Sequence, residues 1–151
     1  MLRVEGVETV TDGKALYQRL VEAINSHDLE AVGNGFSPDC EVKTENVTLR
    51  GRAQLKAFLA SLIEAIPDMT VTVHNMVLEG SLLAVEYTQS GTFTRPFRSP
   101  MGEIPPTGRP FVNDVMELNE IEADQIITSR LYADRLAQRI QMGLMPEVSA
   151  A

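Results

Sequence analysis

Apolar positions recur at helical spacing through the first 66 residues of the chain and alternate with polar ones after that. Ala15, Leu16, Leu20, Ala23 and Ile24 predict a helix over 13–26, with Thr11 or Asp12 placed to cap it. Asn25-Ser26-His27-Asp28 breaks that helix. Asp28 then caps a short second one, burying Leu29, Val32 and Phe36 and cut short by Gly33, Gly35 and Pro38. Cys40 to Thr44 alternates like a strand. Over 51–66, Leu55, Phe58, Leu59, Leu62, Ile63 and Ile66 form one broad apolar stripe, and Pro67 follows where the helix must stop.

Beyond Pro67 the period is two. Residues 69–78, rich in β-branched side chains, predict a strand, and 82–94, 111–121 and 125–133 predict three more. Glu79-Gly80-Ser81 and Glu122-Ala123-Asp124 are the turns between them. Residues 95–109 hold four prolines and two glycines and read as a loop over the mouth of the domain. A last amphipathic helix is predicted from Arg135 to Met142, ended by Gly143. Helices followed by a meander of strands imply an α+β fold with helices on one face of a curved antiparallel sheet.

Composition narrows the field. The 151 residues suit one domain spanning 1–151, and 44% hydrophobic residues suffice for a core without staples. The first dozen residues read as a frayed or strand-like arm, not a signal peptide, and 147–151 as a disordered tail. One cysteine, Cys40, allows no internal disulfide and, flanked by Asp39 and Glu41, is a poor nucleophile. The expected compartment is the cytoplasm. No apolar run reaches the ~18–20 residues of a membrane span. The net charge is −8 with scattered basic residues, so neither nucleic acid nor membrane is an expected partner. His27 and His74 are too far apart in sequence to give metal-ligand spacing, and neither a metal nor a cofactor is expected.

Several segments together carry a resemblance. Ile24-Asn25-Ser26-His27-Asp28-Leu29, Ala65-Ile66-Pro67-Asp68-Met69, Leu78-Glu79-Gly80, Ser90-Gly91-Thr92, Pro106-Thr107-Gly108-Arg109 and Tyr132-Ala133-Asp134-Arg135-Leu136, followed by Gln141 to Pro146, stand in order along the chain. As a set they resemble SnoaL-like proteins of the NTF2-like superfamily. The resemblance implies a cone: a curved antiparallel sheet with about three N-terminal helices and a short C-terminal helix, enclosing a pocket for a hydrophobic small molecule. It does not specify a reaction, since similar proteins include cyclases, isomerases, epoxide hydrolases and binding domains.

In an apolar pocket a carboxyl group is held near neutrality and can move protons without a cofactor. On strand 111–121, Asn113, Val115 and Glu117 share one face and Asp114, Met116 and Leu118 the other. Hydrophobicity alone turns the second set inward. The resemblance turns the first set inward, making Glu117 the leading acid/base candidate, with a solvated rim glutamate as the alternative. On strand 82–94 the resemblance places Glu86 and Thr88 in the pocket, Glu86 as a second carboxylate; facing solvent beside a Val85/Tyr87 core is the alternative. Ser129, Leu131 and Ala133 should face inward on the last strand. Tyr17 either reaches the pocket with its hydroxyl or packs on the sheet. Asp134 reads as a helix cap.

The departures from the resemblance matter as much. Leu131 stands where catalytic relatives carry an aspartate, and Phe93 where many carry a histidine. Val42 and Thr44 replace the water-holding tyrosine and asparagine of epoxide hydrolases, which disfavours that reaction. Two readings follow. One is a cyclase, isomerase or lyase acting on a polyketide-like carbonyl compound, with Glu117 and Glu86 as acid/base groups. Tyr17, Thr44, Thr88, Asn113, Ser129 and Leu131 would then hold the substrate under the 95–109 loop. The other is a binding or assembly domain with the same pocket and no turnover. Both expect a homodimer, since Met116 and Leu118 would otherwise leave an apolar patch on the outer sheet face.

Overall fold

The computed structural model describes residues 13–147. The expected N-terminal arm, the Thr11 or Asp12 cap and all of the expected tail except Glu147 lie outside them. Helix α1 (Gly13–Asn25) buries Leu16, Leu20 and Ala23 of the stripe its spacing predicts, together with Tyr17, and leaves Ala15 and Ile24 half-buried. Asp28 caps α2 (Leu29–Asn34) by accepting from the Ala31 amide at 3.1 Å. Phe36 starts a strand instead of ending that helix, because Gly35 closes α2 first.

Strand β1 (Phe36–Lys43) turns into β2 (Thr48–Arg50), and α3 (Arg52–Ala65) follows. The long strands are β3 (Thr70–Glu79), β4 (Leu82–Thr92), β7 (Pro110–Glu122) and β8 (Gln125–Ala133). Helix α4 (Arg135–Gln141) closes the described chain, capped by Asp134, which accepts from the Ala137 amide at 2.8 Å. The segment read as a loop holds a small hairpin, β5 (Phe97–Ser99) and β6 (Gly102–Ile104). Three-residue strands between prolines leave no alternation to read.

The main sheet runs β2-β1-β8-β7-β4-β3. It is mixed: β1 lies parallel to β8, and the other pairs are antiparallel. Register shifts interrupt the β1–β8, β3–β4 and β7–β8 ladders. Such bulges bend strands and increase twist, which curls the sheet around the helices. The concave face packs Leu83, Val85, Tyr87, Val115, Ile121 and Ile126 against α1. A second cluster of Ala65, Ile66, Met69, Phe93, Phe111 and Met142 joins the end of α3 to the sheet and α4.

Two contacts fix the helices on the sheet. Asn25 donates to the Val71 carbonyl at 2.9 Å and accepts from its amide at 2.8 Å, pinning α1 to the outermost strand. Gly91 lets the end of α3 approach β4, because a Cβ there would overlap Cγ2 of Ile66. No helix among the described residues is long and apolar enough to cross a membrane.

Candidate active site

The stripe on α3 does not fill a solid core. Only Leu55 and Ala65 are fully buried on that helix, and Phe58, Leu59 and Leu62 line a cavity of about 380 Å³ instead. That volume lies in the range of small-molecule sites, ~300–1,000 Å³. The opposite wall comes from β1, β4, β7 and β8, including Val42, Tyr87, Ser129 and Leu131.

Among the described residues one carboxyl group lines this cavity: that of Glu117 on β7, only 7% exposed. Ser129 donates to its Oε1 and the Tyr17 hydroxyl to its Oε2, each at 2.9 Å. Burial pushes the carboxyl above its ordinary pKa, and the hydrogen bonds from Ser129 and Tyr17 pull it back only in part. Burial, and then the charge of Glu117, hold the Tyr17 and Tyr87 hydroxyls well above the usual tyrosine value. Both phenols therefore remain donors at any pH the protein meets.

Asn119, two residues on and on the same face, is fully buried. Its amide nitrogen donates to the Leu83 carbonyl at 3.5 Å and also favours the charged form of Glu117, and its Oδ1 has no hydrogen-bond partner among the described residues. The inward face of β7 thus carries Asn113, Glu117 and Asn119 among Phe111, Val115 and Ile121, and Met116 and Val112 point outward. The polarity of that strand is the reverse of what hydrophobicity alone predicts.

The expectation for Glu86 and Thr88 is overturned. Residues directly opposite in an antiparallel ladder share a face, and Glu117 pairs with Val85, while Glu86 pairs with Met116. The two glutamates must therefore lie on opposite sides of the sheet. Glu86 accepts from Asn75 at 2.9 Å on the outer face. There Thr88 donates to Asp114 at 2.7 Å and lies 2.6 Å from His74 Nε2. Neither residue is in the cavity wall.

The other candidates divide. Ser129, Leu131 and Tyr17 line the cavity, and Glu117 with Ser129 and Tyr17 forms one hydrogen-bonded group. Thr44 lines it near the mouth, with its hydroxyl engaged by the Val47 carbonyl at 3.3 Å. Asn113 is buried on the concave side but does not line the cavity, and its amide nitrogen has no partner among the described residues. Asp134 is the cap described above, and His27 sits in the α1–α2 turn at φ 59°. Sequence reasoning missed Tyr87, Asn119 and the α4 residues Arg135, Gln138 and Arg139, of which all but Asn119 line the cavity. The unbroken alternation from Asn113 through Asn119 was the available signal for Asn119.

A helix-backed, curled sheet around an apolar cavity with one buried acid defines an NTF2-like cone. The chain belongs to the SnoaL-like polyketide cyclase family, whose sequence profile matches residues 14–142. Among curated proteins, none matches the chain by sequence. Solved structures share the fold. A candidate SnoaL-like polyketide cyclase from Jannaschia sp. CCS1 superposes with a TM-score of 0.79 at 23% identity, covering 97% of this chain and 99% of that one. AclR, a candidate hydroxylase from Streptomyces galilaeus, gives 0.77 at 21% identity over 93% and 87%. IdmH, a candidate polyketide cyclase from Streptomyces antibioticus, gives 0.71 at 25% identity over 86% and 97%.

Proposed function

We propose that this protein is a cofactor-independent enzyme that moves a proton next to the carbonyl of an apolar, polyketide-like compound, driving a cyclisation, isomerisation or elimination. The observation that carries this reading is Glu117, a lone buried carboxyl in an apolar cavity with a hydrogen bond on each oxygen. Burial raises its pKa from the ordinary carboxylate value, the direction that makes a carboxylate a stronger base. As carboxylate, Glu117 takes the proton from the carbon beside the carbonyl. Tyr87, kept neutral in the same wall beside Glu117, would donate to the oxygen on which charge develops.

Hydrogen exchange tests this without knowledge of the natural substrate. Cavity-sized aryl ketones and 1,3-diketones are incubated with the protein in heavy water, and deuterium gained beside the carbonyl is read by mass spectrometry. Wild type is expected to accelerate exchange, and Glu117→Gln to lose ~10²–10⁴-fold of that acceleration with its fold intact. Full activity in Glu117→Gln would remove this residue from the mechanism.

Leu131 and Phe93 favour a second reading, a binding domain without turnover. Leu131 lines the cavity with no proton to move, and Phe93 is packed in the second core cluster. Tight binding of the same ketones with no exchange in any of them would support that reading over the first. For either reading we propose a homodimer formed through the outer sheet face, where Val77, Val112, Met116 and Tyr132 are exposed. A monomer in light scattering at micromolar concentration would refute it.

A further inference from the structure

The cavity wall has a charge pattern at odds with the molecule as a whole. The chain carries a net charge of −8, yet among the described residues the only acid lining the cavity is the fully enclosed Glu117. Two cations line it, Arg135 and Arg139, both from α4. Four residues apart on a helix, they point to the same side. The lining residues that are also exposed mark the mouth: Asn46 and Val47 in the β1–β2 turn, Ile104 on β6, and Arg139. The acid is therefore deep and the cations are at or near the rim.

The two arginines are not equivalent. Arg135 donates to Glu45 at 3.1 Å and to Gln138 at 3.1 Å, so its charge is neutralised and its guanidinium held. Arg139 pairs with no acid among the described residues. Its free fork of donors stands at the opening of a cavity otherwise walled mainly by Leu, Ile, Val and Phe side chains.

We propose that the ligand is an organic anion: an apolar body enters the cavity, and a carboxylate or similar group stays at the mouth on Arg139. Glu117 at the deep end repels an anion and Arg139 at the rim attracts one, so the charges fix which end of the ligand enters first. The uncharged end of the molecule, with its carbonyl, is then delivered to Glu117. This rests on the reading of the cavity as a ligand site and adds the chemical class of the ligand.

A matched pair of fluorescent probes tests it. 8-Anilinonaphthalene-1-sulfonate and N-phenyl-1-naphthylamine share one apolar body, and only the first carries an anionic group. Wild type is expected to bind the sulfonate about fivefold or more tightly than the neutral probe, with salt narrowing the gap. Arg139→Gln should erase most of that preference while changing the neutral probe's affinity less than about twofold, and Arg139→Lys should restore part of it. Arg95→Gln, an exposed arginine outside the cavity wall, controls for loss of charge alone and should change neither. Equal binding of both probes by wild type, or an unchanged preference in Arg139→Gln, overturns the anion proposal while leaving the ligand cavity standing. Failure of both probes to bind overturns the cavity reading and this proposal with it.

Discussion

Glu117 and Leu131 stand directly opposite each other in the β7–β8 ladder, both lining the cavity. Residues so paired have their Cβ atoms only ~4.5–5.5 Å apart. The carboxyl of this protein thus sits one strand away from the position where the family resemblance leads one to look for an aspartate. Leu131→Asp would place two carboxyls on one patch of apolar wall, where they cannot both ionise cheaply. The variant is expected to lose about 2–4 kcal/mol of stability at pH 8, and much less at pH 4.5, where both groups can hold protons. Denaturant titrations at the two pH values check this.

Glu117 itself should make the wild type less stable in base. Folding raises its pKa, so the stability linked to its proton is fully present below the ordinary carboxylate value and is lost as pH rises through the folded one. Glutamine in its place has no such dependence. Glu117→Gln is expected to match wild type near pH 4 and to exceed it by about 1–3 kcal/mol at pH 8. Thermal unfolding across that range decides the matter.

Tyr17→Phe removes one of the hydrogen bonds that favour the charged form of Glu117. The Glu117 titration should then move to higher pH, since a bond that lowers its pKa is lost. It can be followed through the carboxyl carbon by NMR or through the pH profile of deuterium exchange. A shift to lower pH would show that the phenol does not act as a donor to the carboxylate.

Gly91→Ala should destabilise the fold by about 1–3 kcal/mol, because the added methyl meets Ile66 at the end of α3. Pairing it with Ile66→Val, which removes a methyl from that contact, should return part of the loss. An additive double mutant in urea unfolding would contradict the contact.

The fold was legible where local pattern and final environment agree. The stripe of α1, the cap at Asp28 and the bounds of β8 follow from spacing and residue type. The site was legible only in part. On β7 the inward side chains include Asn113, Glu117 and Asn119, so the polar face is the buried one. On β4 the ordinary rule holds, with Leu83, Val85 and Tyr87 inside and Glu86 outside, against what the resemblance implies. Facing on adjacent strands is not independent: the pairing of Val85 with Glu117 settles both at once. That register is a property of the assembled sheet and could not be read from either strand alone. The parallel placement of β1 beside β8 was invisible for the same reason, since its partner lies over eighty residues away.

That parallel pairing also dictates when the hollow can exist. Val42 is seated beside Ser129, so the strand leaving the N-terminal helices reaches the rest of the main sheet only through the last strand to be made. β1 therefore meets its parallel neighbour only once the chain through β8 is available, and long-range joins of this kind are slow to form. A nascent or truncated chain ending before β8 would lack Ser129 and Leu131 and leave one side of the vessel open. A cavity walled on every side is thereby confined to chains already made through β8.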